Sequence, residues 1–221
     1  MALHLPVIAI DGPAASGKGT LARKVAEALG YALLDTGALY RGVALTMIRA
    51  GIDLGDAESA TATARTLTAA DIDRLTYDPV LRLDETASGA SRVSAVPGVR
   101  QALLDFQRDF AANPPGGLPG AVLDGRDIGT VICPDAPVKL FVTASVEVRA
   151  RRRFAELQAR GEDPDFADVL ADMQARDDRD TKRAVAPLVP ASDAVIIDNS
   201  DMTPQQVLDA ALDVVRTKLS A

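Results

Sequence analysis

Apolar and polar positions along this chain follow two alternating periods. Leu5-Pro6-Val7-Ile8-Ala9-Ile10 is a short apolar run rich in β-branched residues, stopped by Asp11-Gly12-Pro13, the mark of a buried strand that ends in a turn. From Lys18 to Leu29 the apolar residues Leu21, Ala22, Val25, Ala26 and Leu29 recur at spacings of three and four, which predicts a helix closed by Gly30. Tyr31 to Leu34 reads as a second strand, and Thr36 to Ala50 as a second helix ending at Gly51. Ala121-Val122-Leu123, Val138 to Val142 and Ala194 to Ile197 are three more strand-length runs, with helical stretches at 145–160, 166–183 and 203–219. Strands alternating with helices predict an α/β fold: a five-stranded parallel sheet flanked by helices on both faces.

Two stretches break the rhythm. Residues 52–96 begin polar and Ala/Thr-rich, then show short alternating pieces, Leu75-Thr76-Tyr77 and Val80-Leu81-Arg82-Leu83. They are read as an insertion with its own small antiparallel strands. Asn113 to Gly120, with three prolines and three glycines, reads as a loop. A length of 221 residues suits one domain carrying such an insertion.

Composition narrows the function. The 24 basic and 31 acidic side chains leave a net charge of −7, which argues against a duplex nucleic-acid binder or a polybasic membrane module. A small anionic substrate needs only a local positive pocket. Cys133, the single cysteine, has no internal disulfide partner and fits a reducing compartment. Met1 to Ile10 lacks a basic leader, and no apolar run reaches membrane-spanning length, so a cytoplasmic, soluble protein is expected. Lys18, Lys24, Lys139, Lys182 and Lys218 are the only lysines; all other basic residues are arginines, whose planar fork grips phosphate oxygens at two points.

The strongest chemical signal is Gly12-Pro13-Ala14-Ala15-Ser16-Gly17-Lys18-Gly19-Thr20, a G-x4-G-K phosphate loop between a buried strand and an amphipathic helix. Glycines let backbone N–H groups converge on phosphate oxygens, and the following helix turns its positive end toward them. Lys18 supplies a point charge, and a hydroxyl of Thr20 or Ser16 assists a metal or a phosphate. The D-x-x-G and N-K-x-D motifs of switch GTPases are missing; the only asparagines are Asn113 and Asn199. A small kinase for a small acceptor fits what remains.

The acceptor side follows from strand ends. Asp35-Thr36-Gly37-Ala38-Leu39-Tyr40-Arg41 leaves the second strand at the edge where open parallel sheets bind ligands, with Thr36 placed to cap the next helix and Arg41 to reach an anion. Asp124-Gly125-Arg126-Asp127-Ile128-Gly129 leaves the third strand at the same edge. Asp124 there is positioned to hold Mg2+, through water, Arg126 to meet a phosphate, and Asp127 to accept from a base amino group.

These segments resemble the bacterial type of cytidylate kinase, among the P-loop nucleoside monophosphate kinases. The resemblance rests on Gly12–Thr20, Leu33–Arg41, Asp124–Thr130, Pro134–Lys139, Arg176–Asp180 and Arg183–Leu188, in the family's order over nearly the whole chain. It implies a core (about 1–51, 97–148 and 184–221), a monophosphate-binding insertion (about 52–96) and a mobile lid (about 149–183). It implies ATP with Mg2+ as donor, CMP or dCMP as acceptor, and a monomer. By position, Thr36, Arg41 and Arg126 are similar to acceptor-phosphate contacts, Ser91, Arg100 and Asp127 to cytosine contacts, and Arg176, Asp180 and Arg183 to ribose and phosphate contacts. The sequence departs from the family in Thr36, where serine is more usual, and in a shortened insertion around Thr86–Ala90.

Helical spacing adds to this. Arg176, Arg179, Asp180 and Arg183 share one helix face while Asp177 and Asp178 turn away, and Arg149, Arg152 and Arg153 share a face of the preceding helix. Gly161-Glu162-Asp163-Pro164 between them is a natural lid tip. Two polyanionic substrates repel, so several cations are needed to hold them together. Because a phosphate oxygen is already an ionised nucleophile, the catalytic work is positioning and charge stabilisation, assigned to Lys18, Arg126, Arg152, Arg153 and Arg179. His4, the sole histidine, sits in the N-terminal tail, outside any acid–base role. Two alternatives stay open at this level: a kinase for another acceptor such as UMP, AMP or shikimate, and a nucleotide-dependent binding module without turnover.

Overall fold

The computed structural model describes residues 5–76 and 78–220; His4 and Tyr77 lie outside them. Five strands, β1 (Val7–Asp11), β2 (Ala32–Asp35), β3 (Ala121–Gly125), β4 (Val138–Thr143) and β5 (Val195–Asp198), form one sheet in the order β2-β3-β1-β4-β5. Every neighbouring pair is parallel. β1 is central, with Ile8, Ala9 and Ile10 fully buried, as expected for a strand covered on both faces.

Nine α-helices lie among the described residues: α1 (Lys18–Leu29), α2 (Thr36–Arg49), α3 (Ala57–Thr66), α4 (Ala69–Thr76), α5 (Asp84–Val93), α6 (Pro97–Ala112), α7 (Val146–Ala159), α8 (Phe166–Thr181) and α9 (Pro204–Leu219). Ile8, Ile10, Val122, Leu140 and Val142 pack on one face against Leu21 and Val25 of α1 and Val207, Ala211 and Val215 of α9. Ala9, Leu34 and Leu123 face the other way, toward Ala111 of α6 and Ile128. Because all strands run in one direction, the loops after β1, β2 and β3 open on one rim.

The insertion differs from the sequence expectation. Residues 57–66, 69–76 and 84–93 are helical, and Pro79–Arg82 is a single 3-10 turn, so the antiparallel pieces at Leu75-Thr76 and Val80–Leu83 do not form; Tyr77 is not described. The physical reason is local. The Asp56 carboxylate accepts the N–H groups of Glu58 and Ser59, starting a helix through an Ala-rich stretch. Leu75 and Leu81 are buried against Ala38 and Leu45 of α2 rather than paired across a ladder. α2, α3, α5 and α6 share a second core built on Leu39, Val43, Met47, Ala60, Val93, Val99 and Leu103.

The hydrophobic pattern assigned no element to α6, although Val99, Leu103, Phe106 and Phe110 recur at helical spacing. The expected loop at 113–120 holds one short turn, Pro115–Gly117, with Gly116 and Gly117 at positive φ. α7 and α8 form a hairpin around Ala150, Leu157, Val169 and Met173, with the Phe154 and Phe166 rings edge-on at 5.8 Å.

Candidate active site

The loop Gly12–Thr20 leaves β1 at the centre of the sheet. A Cβ on Gly12 (φ 152°) would collide with the Val142 carbonyl oxygen of β4, so the chain can pass there only as glycine. Gly17 (φ 84°) is the N-cap of α1 and offers no side chain to it, so the first-turn N–H groups stay available to an anion. Lys18 is buried, donates to the Pro13 carbonyl at 3.1 Å, and lies 3.9 Å from Asp124 Oδ1. Burial pushes the Lys18 ammonium well down and the Asp124 carboxyl up from their usual ranges. Arg126 nearby pushes Lys18 down further; a polyphosphate against Lys18 reverses the trend.

Asp124 at the end of β3 reaches across to α1, where a Cβ on Gly19 would stand 3.0 Å from its Oδ2. Its Oδ1 and the Ser16 Oγ are buried with no hydrogen-bond partner. Thr20 is exposed and lines the same cleft as Asp124.

The strand β2 exit works differently from the expectation. Asp35, not Thr36, caps α2, accepting the Ala38 N–H at 3.2 Å and pairing with Arg41 at 2.5 Å. The Thr36 hydroxyl points the other way and donates to the Asp124 carbonyl at 2.8 Å, tying β2 to β3. A carboxylate at that corner is the stronger cap and takes the position.

The loop after β3 carries the rest. Arg126 Nε donates to Asp180 Oδ2 at 3.1 Å, linking the sheet rim to α8. The buried Asp127 pairs with the equally buried Arg100 of α6. Arg100 also donates to the Ser94 carbonyl and lies 5.7 Å from the Tyr40 ring centre. Ser91 Oγ donates to Asp180 Oδ1 at 3.4 Å, and Arg183 Nη1 donates to Ser94 Oγ at 3.4 Å. Burial alone would raise the Asp180 carboxyl, but Arg126, Arg176 and Arg183 outweigh it and hold the group below its ordinary value. Arg176 is pushed down to about 10, by burial first and then by Arg126.

One open cleft of about 1290 Å3 joins these parts, lined by the phosphate loop, Thr36, Arg41, Ser91, Arg100, Asp124, Arg126, Asp127, Arg152, Arg153, Arg176, Asp180 and Arg183. Arg41 Nε, Arg176 Nε and Arg183 Nη2 are buried there with no partner. Buried donors without acceptors are costly, and so many in one cleft mark a place shaped for an anion.

Four arginines of the lid region are held by other partners, and two of them, Arg149 and Arg179, lie outside the cleft lining. Arg149 faces the underside of the loop, donating to the carbonyls of Ala144 and Ala14 and pairing at two points with Asp177, at 3.1 and 2.6 Å. Arg179 is exposed and reaches Ser91 Oγ at 3.4 Å, outside the cleft lining. Arg152 lines the cleft but donates to Asn199 Oδ1 (2.8 Å) and to the Asn199 carbonyl (3.0 Å), while Arg153 pairs with Asp84 and Glu156. Asn199, Ser94 and Asp35 had no role in the sequence reading. Asn199 Nδ2 donates to the Ser16 carbonyl at 2.7 Å, a link over 183 residues that no local motif announces.

Comparison with known proteins gives the family. The family model described as cytidylate kinase matches residues 8–217. The cytidylate kinases of Paramagnetospirillum magneticum and Rhodospirillum rubrum are each 58% identical over 212 residues, covering 96% of this chain and 98% of theirs. Among solved structures, an uncharacterized protein from Eubacterium ventriosum shares the fold, with a TM-score of 0.52 at 16% identity over 98% of this chain and 99% of that one. No helix among the described residues is long and apolar enough to cross a membrane. A match spanning nearly all of the chain, over the loop Gly12–Thr20 and an arginine-lined cleft, places it in the cytidylate kinase family.

Proposed function

We propose that the chain transfers the γ-phosphoryl group of ATP to CMP or dCMP, giving ADP and CDP or dCDP. The observation that carries the reading is the set of buried, unpartnered guanidinium donors of Arg41, Arg176 and Arg183 facing the same cleft as Lys18. ATP phosphates lie on residues 12–20. Thr36, Arg41, Arg126, Arg176 and Arg183 take the acceptor's phosphate and ribose side with Asp180, and Ser91, Arg100 and Asp127 take the base. Cytosine presents an amino donor beside a ring acceptor, the complement of a carboxylate beside a guanidinium; uracil presents the reverse.

The acceptor's phosphate oxygen attacks in line, and no group need remove a proton from it. Lys18 and Arg126 spread positive charge over the transferring group, and Arg152, Arg153 and Arg179 of the lid (149–183) add to it once they leave Asn199, Asp84 and Ser91. The insertion (52–96) and the lid close on the core (1–51, 97–148, 184–221) and exclude water, which would otherwise accept the phosphoryl group.

Asp124 Oδ1, buried without a hydrogen bond and 3.9 Å from Lys18, and Thr20, which lines the same cleft, fit Mg2+ carried in with the nucleotide, held by Thr20 and, through water, by Asp124. When bound, the ion neutralises charge on the β- and γ-phosphates. The same reading makes the chain cytoplasmic, in keeping with the single Cys133, and a monomer, as the family resemblance implies.

ADP release with ATP-Mg2+ across CMP, dCMP, UMP, AMP and shikimate tests the reading. CMP and dCMP are expected to be turned over best; CMP left untouched while another acceptor reacts overturns it.

A further inference from the structure

Asp11 ends β1, directly ahead of Gly12, and is buried, yet it does not line the cleft. Its two oxygens are used separately. The Ile128 N–H donates to Oδ1 at 2.8 Å and the Gly129 N–H donates to Oδ2 at 2.8 Å. Residues Ile128–Ile132 form one wide helical turn whose N-cap, Asp127, makes no side-chain cap to it. The Asp127 carboxylate is instead turned to Arg100. A cap is therefore supplied from 117 residues away, by the residue just ahead of the phosphate loop.

That division of labour has a geometric consequence. A helical turn leaves its first N–H groups unsatisfied, and a buried turn without a partner for them is costly. If Asp127 capped its own turn, it could not face the cleft. Asp11 relieves it, and in doing so fixes Arg126 and Asp127 relative to Gly12. Gly129 fits the clamp because a Cβ there would stand 3.1 Å from the Lys139 side chain and 3.4 Å from Asp11 Oδ2.

We propose that Asp11 is a positioning residue that clamps the Arg126–Asp127 turn to the phosphate loop, so that the acceptor base and phosphate are held in register with the donor. The inference rests on the acceptor roles given above to Arg126 and Asp127. Asp11 touches neither nucleotide. A carboxylate supplies two acceptors at the spacing of two adjacent N–H groups, whereas an amide supplies one acceptor and sets its own N–H against the second donor.

The test is Asp11→Asn alone and combined with Asp127→Ala, read by steady-state kinetics at pH 8, above the value of about 7 to which burial raises the Asp11 carboxyl, so that the parent presents a carboxylate. The single variant is expected to raise KM for CMP about tenfold, the loss of roughly one charge-assisted hydrogen bond, with KM for ATP changed less than about threefold and the CMP-over-UMP preference reduced. In the Asp127→Ala background the same change is expected to cost clearly less than in the parent, because one of the two residues it positions is gone. An equal rise in both KM values, or an undiminished effect in the double variant, overturns the proposal. Should Asp11→Asn not fold, amide exchange in the unaltered protein decides: Ile128 and Gly129 are expected to be protected like Ile8–Ile10, and exchange at loop rates overturns the clamp. A failure of the CMP reading shows in the unaltered enzyme, whereas a failure of the clamp shows only in the variants or in exchange.

Discussion

Replacing Asp127 by Asn perturbs stability and specificity at one point. Asp127 and Arg100 are 4% and 7% exposed, and removing one charge leaves the other buried. Breaking such a pair from one side costs about 3–5 kcal/mol where nothing else compensates. Arg100 keeps the Ser94 carbonyl and the Tyr40 ring, and the pair borders an open cleft, so the lower range of about 2–3 kcal/mol is expected. For a chain of this length, about 2–4 °C per kcal/mol converts that to a fall in Tm of roughly 5–10 °C. In the site, the carboxylate that accepts from the cytosine amino group becomes an amide that can turn its N–H toward the uracil carbonyl. The loss of a charged hydrogen bond, about 1.5–3 kcal/mol, predicts a fall of about 10- to 100-fold in the CMP-over-UMP ratio of kcat/KM. Differential scanning fluorimetry and paired kinetics read both. A Tm within about 1 °C of the parent, or an unchanged CMP/UMP ratio, refutes the pairing as the base-reading element.

Other expectations follow from the same contacts. Lys18→Met is expected to lower kcat by about a thousandfold while the fold persists, because the buried ammonium is traded for an apolar chain of similar size; circular dichroism beside the rate assay checks both. Burial pushes the Asp11 carboxyl up to about 7 from 3.8, so the folded chain holds a proton that the unfolded chain has already released between those values. Its contribution to stability is therefore full below about pH 4 and declines by roughly 1 kcal/mol per unit as pH rises toward 7. Urea midpoints from pH 4 to 8 should show that slope in the parent; in Asp11→Asn the fall is expected to shrink and to end near pH 6, the remainder coming from Asp124, which burial raises to about 6. Arg149→Met removes the two-point pair to Asp177 and the bond to the Ala14 carbonyl, and is expected to cost about 2–4 kcal/mol and loosen α7 and α8; hydrogen exchange over 146–181 checks it.

The sheet was legible because parallel strands buried on both faces are plain apolar runs, as at Val7–Ile10 and Val138–Val142. The phosphate loop was legible for a different reason: its glycines, Lys18 and the flanking strand and helix are contiguous. The insertion was not, because Val80–Leu83 alternates for too few residues to separate a strand from a turn packed by Leu81 on α2. Helical spacing placed Arg176, Asp180 and Arg183 on one face; α8 ends at Thr181, ahead of Arg183, and all three line the cleft. The same spacing grouped Arg149 with Arg152 and Arg153, and the structure sends these three to different partners, since spacing fixes a helix face but not what lies opposite it. Asn199 and Asp11 act across 183 and 117 residues, and such distances are set by strand order alone.

The central claim is that two mutually repelling nucleotides meet at one rim of the sheet. A single molecule joining adenosine to cytidine through five phosphates tests it most directly, by equilibrium binding in competition with ATP and with CMP. Occupying both halves at once is expected to make it bind at least about a hundredfold more tightly than either nucleotide, to displace both, and to lose most of that gain in Lys18→Met. Affinity no better than that of ATP, or displacement of only one of the two, contradicts the account.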